Sequence, residues 1–465
     1  MMNYDTIKDE LLSVADRAIE IARRLDSGLE YEVFVYYEDS NEAEVDQGRA
    51  TATHGAIAGS AVRAALGTRV AFACSSGMTV DRVRHSIQEA ISVVKSMRGE
   101  DKRFKGFDDP RPSASESRFD KRILELHTDE LVRICRDMAH DASSSDDHIK
   151  TVSAAASVSW GAYAVSNSRG ILAATRFGMN YCAVDAQAQL NEERRSSYEY
   201  DVAVDRVVRP EGLGEAAAQN AVRLLRAKKL DFTGQLTTVW TQIPSALYFR
   251  ASVGESVTGQ PVVDGVSPLC DRIGDAIGPK HLTVVDDGQS PDGMRTRAID
   301  AEGHPQQSTV LIEDGILKSY LFDSYYGRAF GLESTGNCSR GSEMFGGRLP
   351  YESVLSVSAH QVRVEPGRGT LEDLVSSIDG QAVLIRDFPL GIFHSDVSTG
   401  EFSIVANSVL LVNRGEVVGP LQPVSIAGNF YEGLRHLRAI GSDSRVTRFG
   451  VVAPSLVFDG FTVVG

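Results

Sequence analysis

Apolar side chains recur with helical spacing between Thr6 and Leu25, at Leu11, Leu12, Val14, Ala15, Ala18, Ile19 and Ala22. With Thr6 and Asp9 at its start, the pattern predicts an amphipathic helix. Tyr31, Val33, Val35 and Tyr37 then alternate with Glu32, Phe34, Tyr36 and Glu38, the period of a strand. Ala50 to Leu66 and Gly67 to Ala73 read as further short strands broken by glycine. Helical spacing returns after Thr79, through Val83, Ile87, Ala90, Ile91 and Val94, and again from Thr128, through Leu131, Ile134, Cys135 and Met138. Between those two helices, Phe104 to Phe119 is rich in Asp, Pro, Arg and Ser and reads as an exposed connector.

From Ile149 to Val204 the texture is β-branched, Ala and Tyr, with a turn at Asn167-Ser168-Arg169-Gly170, which predicts an antiparallel hairpin or meander. A fourth helix is expected from Leu213 to about Lys229, and the main boundary near Leu230, giving an N-terminal domain 1–230 and a C-terminal domain 231–465. The second half is dense in short apolar runs punctuated by Gly, Asp and Asn, such as Thr309 to Ile312, Ile316 to Leu321, Ala382 to Ile385 and Ser408 to Asn413. One helical candidate interrupts it, Pro244 to about Gly259. Segregated helices and strands point to an α+β protein: an N-terminal α/β domain with helices on a mostly antiparallel sheet, then a β-rich domain of curved antiparallel sheets.

Composition adds limits. The 465 residues carry 48 basic and 63 acidic side chains, a net charge of −15, which disfavours bulk binding to nucleic acid or anionic lipid. With 42% hydrophobic and 24% charged residues the chain falls in the ordinary globular range. No apolar run reaches membrane-spanning length and the first residues, MMNYDTIKDE, do not form a signal peptide, so a cytoplasmic protein is expected, with no nucleic-acid or membrane partner. Five widely spaced cysteines without a C-x-x-C pair suit reduced thiols.

Cofactor motifs are absent: neither G-x-G-x-x-G between a strand and a helix nor G-x-x-x-x-G-K-[ST] occurs. None of the ten histidines is followed by Glu, so no local metallopeptidase pair offers itself. His394-Ser395-Asp396 is the most suggestive polar cluster, within a glycine-bounded turn. Cys338, in a Gly-rich loop after Gly336 and Asn337, is a candidate thiol with only Arg340 nearby to lower its pKa. Gly336, Asn337, Cys338, His394 and Asp396 are the candidate peptide-groove or loop residues.

Residues 246–265 (ALYFRASVGESVTGQPVVDG), Asp300-Ala301-Glu302-Gly303, Gly315-Ile316-Leu317, Ser334-Thr335-Gly336-Asn337 and Ser425-Ile426-Ala427-Gly428-Asn429 together resemble the TldD/PmbA family over nearly the whole chain. The resemblance implies the same two-domain plan and a TldD/TldE complex that acts as a peptidase on unfolded or leader-type peptides. In the TldD branch a helix carries H-E-x-x-x-H and a cysteine near the C-terminus supplies a third ligand. That hexad falls here on Gly254-Glu255-Ser256-Val257-Thr258-Gly259, and no Cys follows Cys338. Gly254 and Gly259 therefore stand at vestigial ligand positions and Glu255 at the family's general-base position, an assignment that matches the TldE (PmbA) branch.

The resemblance implies no metal or cofactor in this chain and zinc on the partner subunit. Its expected partners are a TldD-type metal-binding subunit in a heterodimer, an extended peptide and, for the chain alone, a second copy in a homodimer. Glu255 is expected to be solvated or paired, because without a metal-bound water it lacks an acidic proton to accept. Two other readings stay open: a non-proteolytic regulator of the gyrase-modulator type, and a self-sufficient peptidase using a nucleophile such as Cys338.

Overall fold

The computed structural model describes residues 3–112, 119–341 and 348–465. Of the expected connector at Phe104 to Phe119, residues 113–118 therefore lie outside the described residues. The chain is an α+β protein. Helix α1 (Tyr4–Leu25) precedes three strands, β1 (Glu30–Asp46), β2 (Arg49–Leu66) and β3 (Arg69–Ser76); α2 (Val80–Ser96) and α3 (Thr128–Ser145) follow. A meander of β4 (Ile149–Asn167), β5 (Leu172–Leu190) and β6 (Glu193–Ala203) leads to α4 (Leu213–Leu224). The six strands form one antiparallel sheet in the order β3-β2-β1-β4-β5-β6.

All four helices cover one face of this sheet. Ile7, Leu11 and Ala15 of α1 and Val83 and Ile87 of α2 pack on Tyr31, Val33 and Val35, while Leu131, Cys135 and Met138 of α3 and Ala217 of α4 pack on Val45, Ala154, Ala156 and Val184. On the opposite face, to which Phe34 and Tyr36 belong, Phe34, Tyr36, Ala61, Tyr163 and Phe177 are buried against Ile299 and Tyr351 of the second half. A sheet covered on both faces need not alternate.

Three sequence expectations are corrected in part. The strands expected at 50–66 and 67–73 are β2 and β3, but β2 is neither short nor broken by glycine: it runs for 18 residues straight through Gly55 and Gly59, and Gly59 admits the ring of Tyr351, whose Cδ1 lies 2.3 Å from where a Cβ would be. The fourth helix stops at Leu224, since Lys228 joins strand Glu416–Leu421 instead, donating to Pro420 O (3.0 Å) and accepting from Gln422 N (2.9 Å). The Phe104–Phe119 connector is not exposed throughout, because Phe104 and Phe107 are buried.

In the second half, β7 (Thr233–Trp240) lies inside a mixed sheet, antiparallel to Leu456–Val464 and parallel to Gln381–Ile385. Beyond these run 424–429 and 401–406 on one side, and 409–413 and 416–421 on the other. A second mixed sheet runs through 308–313, 284–287 and 362–364, the last parallel to 451–453. Only Ile316–Leu317 of the expected 316–321 run is strand. Short helices at Ser324–Phe330, Leu371–Ser376 and Phe430–Arg435 add to the single one expected. Helix α5 (Gln242–Ala251) is held by aromatic packing: Tyr248 lies 5.6 Å from Trp240, 4.8 Å from Phe458 and 5.2 Å from Phe430 between ring centroids.

Candidate functional site

The hexad aligned with the family's metal-binding helix begins just after α5. That helix ends at Ser252, whose φ of −105° and ψ of −92° leave the helical region. Two serines offer the backbone alternatives to a continuing ladder: Ser252 Oγ donates to Tyr248 O (2.6 Å) and Ser256 Oγ donates to Ser252 O (2.8 Å). A single turn, α6 (Val253–Ser256), and then α7 (Gly259–Val263) follow. The one helix expected from Pro244 to Gly259 is thus three pieces, and positions 254 and 259 do not share a continuous helical face.

Neither glycine carries a donor atom, and the space around them is committed. A Cβ at Gly259 would lie 2.6 Å from Tyr326 Cβ and 2.9 Å from Phe322 Cδ1, and one at Gly254 would lie 3.2 Å from Phe249 O. Among the described residues no group of three His, Cys, Asp or Glu side chains is placed to hold a metal ion. Positions 254 and 259 thus offer no side-chain donor of the kind a catalytic zinc takes. Glu255 is about half exposed and paired with the nearly buried Arg250 at 2.6 Å.

The hydroxyl of Tyr431 meets Ser256 Oγ and donates to Val397 O (3.1 Å), so the loop carrying His394 and Asp396 approaches this segment. Asp396 is spent on its own turn: Oδ1 accepts from Ser398 Oγ (2.6 Å) and Ser398 N (2.9 Å), bonds that hold the carboxyl below its usual range. His394 is exposed, with no hydrogen bond to Asp396 among the described residues.

Gly336, Asn337 and Cys338 are buried, the first two in a loop and Cys338 at the start of strand Cys338–Arg340. Asn337 Nδ2 donates to Asp286 Oδ2 (2.6 Å), and the Cys338 N–H donates to Asp300 Oδ2 (3.0 Å). Burial, and then Glu302, Asp300 and Asp323, push the Cys338 thiol well above its ordinary pKa. A thiolate nucleophile requires the opposite environment.

Sequence reasoning missed a buried cluster of charged side chains that surrounds Cys338. Arg63 of β2 donates to Glu32 of β1 through Nε (2.9 Å) and Nη2 (2.6 Å), and Nη2 also reaches Glu302 Oε1 (3.0 Å). Arg340 lies 3.4 Å from Glu32 and 4.7 Å from the centre of the Phe34 ring. Glu302 accepts from Ser324 N (2.9 Å) and Ser324 Oγ (2.7 Å), and Asp300 accepts from Glu302 N and His304 N (both 2.9 Å). His304 pairs with Asp108 at 2.6 Å, and Arg328 reaches the same carboxylate. Arg63 holds Glu302 below its usual pKa against burial. Burial raises Asp300 to about 6 and, with Glu302 beside it, Asp323 to about 7. Asp300, Glu302 and the Ser334–Asn337 run stand out in the sequence as a signature, but only the fold brings Glu32 and Arg63 to them.

Family comparison gives this arrangement its class. Residues 233–465 match the PmbA/TldA metallopeptidase C-terminal domain and residues 121–225 the PmbA/TldA metallopeptidase central domain, which makes this a metallopeptidase-related protein. The chain belongs to the TldD/PmbA family. A metalloprotease TldD homolog of Buchnera aphidicola from Acyrthosiphon pisum is 26% identical over 235 residues, 48% of this chain and 46% of that protein. The chain thus spans about half the length of that relative. The TldD homolog of Buchnera aphidicola from Schizaphis graminum is 25% identical over 446 residues, covering 88% of this chain and 86% of that one. The crystal structure of TldE from Thermococcus kodakarensis shares the fold, with a TM-score of 0.87 and 24% identity over 97% of this chain and 100% of that chain.

Proposed function

We propose that this chain is the TldE/PmbA-like subunit, without metal ligands of its own, of a heterodimeric zinc metallopeptidase that cleaves unfolded or leader-type peptides. The observation that carries the reading is glycine at both 254 and 259, with Tyr326 and Phe322 packed where a side chain at 259 would begin. The partner, of TldD type, supplies zinc, the activated water and the general base. This chain supplies walls: on the outer strands of its mixed sheet, 401–406 and 416–421, the backbone groups not taken by Leu390, Asp396 and Lys228 would meet an extended peptide. A cytoplasmic location belongs to the same proposal; among the described residues no helix is long and apolar enough to cross a membrane.

A self-sufficient thiol peptidase finds no support in the surroundings of Cys338, which is 2% exposed and has carboxylates beside it. The test is co-expression with H-E-x-x-x-H partners from the same genome, followed by chelator-sensitive cleavage of an unfolded peptide. Activity in the pair alone is expected, unchanged by Glu255→Ala, with no stoichiometric zinc on the lone chain. Cleavage by the lone chain, or about one tightly bound zinc per chain as a closed four-ligand site would hold, overturns the reading. A pair that binds but cleaves nothing turns it toward the regulatory protein.

A further inference from the structure

At the N-terminal end of α5, away from the hexad, β6, α4 and the mixed sheet enclose a cavity of about 450 Å³. This is within the size range of small-molecule sites. Three arginines line it, Arg223 from α4, Arg386 at the end of strand Gln381–Ile385, and Arg445. None of them has a carboxylate within ion-pair distance among the described residues. Arg386 instead gives Nη1 to the side-chain oxygen of Asn220 (3.0 Å), and Arg445 donates to Tyr200 O (2.5 Å) while lying 4.7 Å from the centre of the Tyr200 ring. Burial and then the like charge of Arg223 lower the proton affinity of Arg386, so two cations are brought together in a half-buried place. Their repulsion, only partly offset by Glu199 and Asp387, leaves the place receptive to a further anion.

Acids line the same cavity, and Glu199 and Asp387 act on Arg386 through space and offset part of the repulsion from Arg223, although neither forms an ion pair with it. Glu199 accepts from Asn220 Nδ2 (3.0 Å), and Asp387 accepts from the Phe388 N–H (2.6 Å); Glu372 is exposed. Ile243, Leu384, Leu410 and Val417 supply apolar wall between the charged groups. A lining with unpaired groups of both signs and an apolar wall matches a small zwitterion that also carries side chains.

We infer that this cavity binds the end of a short peptide, with Arg386 and Arg223 holding its free α-carboxylate. Guanidinium groups suit that role because their fork matches the two carboxylate oxygens. The inference stands on the cavity and does not depend on the reading of Gly254 and Gly259.

Calorimetric titration of the full chain with tri-L-alanine, and with its C-terminal amide, tests it. The free acid is expected to bind, and the amide at least tenfold more weakly, since the charge-assisted hydrogen bonds are lost. Arg386→Gln should weaken the acid by about tenfold or more, and Arg223→Gln by a smaller factor. Arg223 is exposed, so its substitution leaves folding intact and keeps the test valid if Arg386→Gln does not fold. Three results would overturn the inference: no binding up to about 10 mM, equal binding of acid and amide, or unchanged affinity in the Arg223→Gln variant. Displacement of the tripeptide by equimolar inorganic phosphate would overturn the carboxylate assignment.

Discussion

The segment 254–259 and the cluster around Glu302 distribute their chemistry in opposite ways. At the first, where the family's metal-binding helix would lie, two positions are bare glycine and the lone carboxylate is half exposed and paired with Arg250. At the second, Glu32, Arg63, Glu302, Arg340, Asp300 and Asp323 are nearly or fully enclosed, with most of their polar atoms taken by one another, by backbone groups or by the Ser324 hydroxyl. The difference teaches that a concentration of titratable groups is not by itself an active centre. The Glu302 cluster joins the first sheet to the second half through contacts between residues 239 and 308 apart in sequence. Removing one member of a buried ion pair leaves the other charge enclosed and uncompensated.

The largest test of the contrast is Arg63→Met. It leaves Glu32 and Glu302 enclosed, with Arg340 the remaining cation near Glu32, and should cost about 3–5 kcal/mol in denaturant unfolding. A cost below about 1 kcal/mol, as for a solvated pair, would mean that water reaches the cluster and would remove the contrast. Gly259→Ala probes the other region. Its Cβ meets Tyr326 Cβ and Phe322 Cδ1 inside contact distance, so a loss of about 1–3 kcal/mol is expected from overpacking. If alanine is accepted without cost, position 259 has room for a side chain and the donor-free segment is no longer sealed.

What the sequence made legible follows from the range of the interactions. The first three helices were readable because each buries one stripe on a neighbouring sheet, and Thr79 caps α2 through its side chain as its position suggested. The Asn167 turn was readable because it is local: Asn167 Oδ1 accepts from Arg169 N (2.9 Å) and Ile171 N (3.0 Å). The full length of β2 was not, since Gly59 looks like a break and is instead the place where Tyr351 presses on the strand. The missing donors at 254 and 259 could be read by register alone. The Glu302 cluster could not, because nothing local pairs Glu32 with residues some 300 positions away. A signal did exist: Glu32 and Arg63 interrupt otherwise apolar strand positions, and unpaired charges are not buried.

A further expected effect concerns the sign of the cluster's response to pH. Asp323 caps the helix Ser324–Phe330 by accepting from the Tyr326 N–H (2.7 Å), a role asparagine performs equally well. With a pKa of about 7 when folded, against about 3.9 in the unfolded chain, the native state binds this proton more tightly. Its contribution is therefore fully present below about pH 4 and falls as pH rises toward 7. Asp300, at about 6, acts in the same direction, whereas Glu302, with its pKa lowered, loses its contribution only in acid, below the range tested here. Asp323→Asn cannot ionise, so its stability relative to the parent should rise from pH 5 to pH 8, by about 1–3 kcal/mol. Denaturant curves for both proteins at the two pH values check this. A parallel shift at both would show that the Asp323 carboxyl is already ionised at pH 5, and that this part of the cluster is as open to solvent as Glu255.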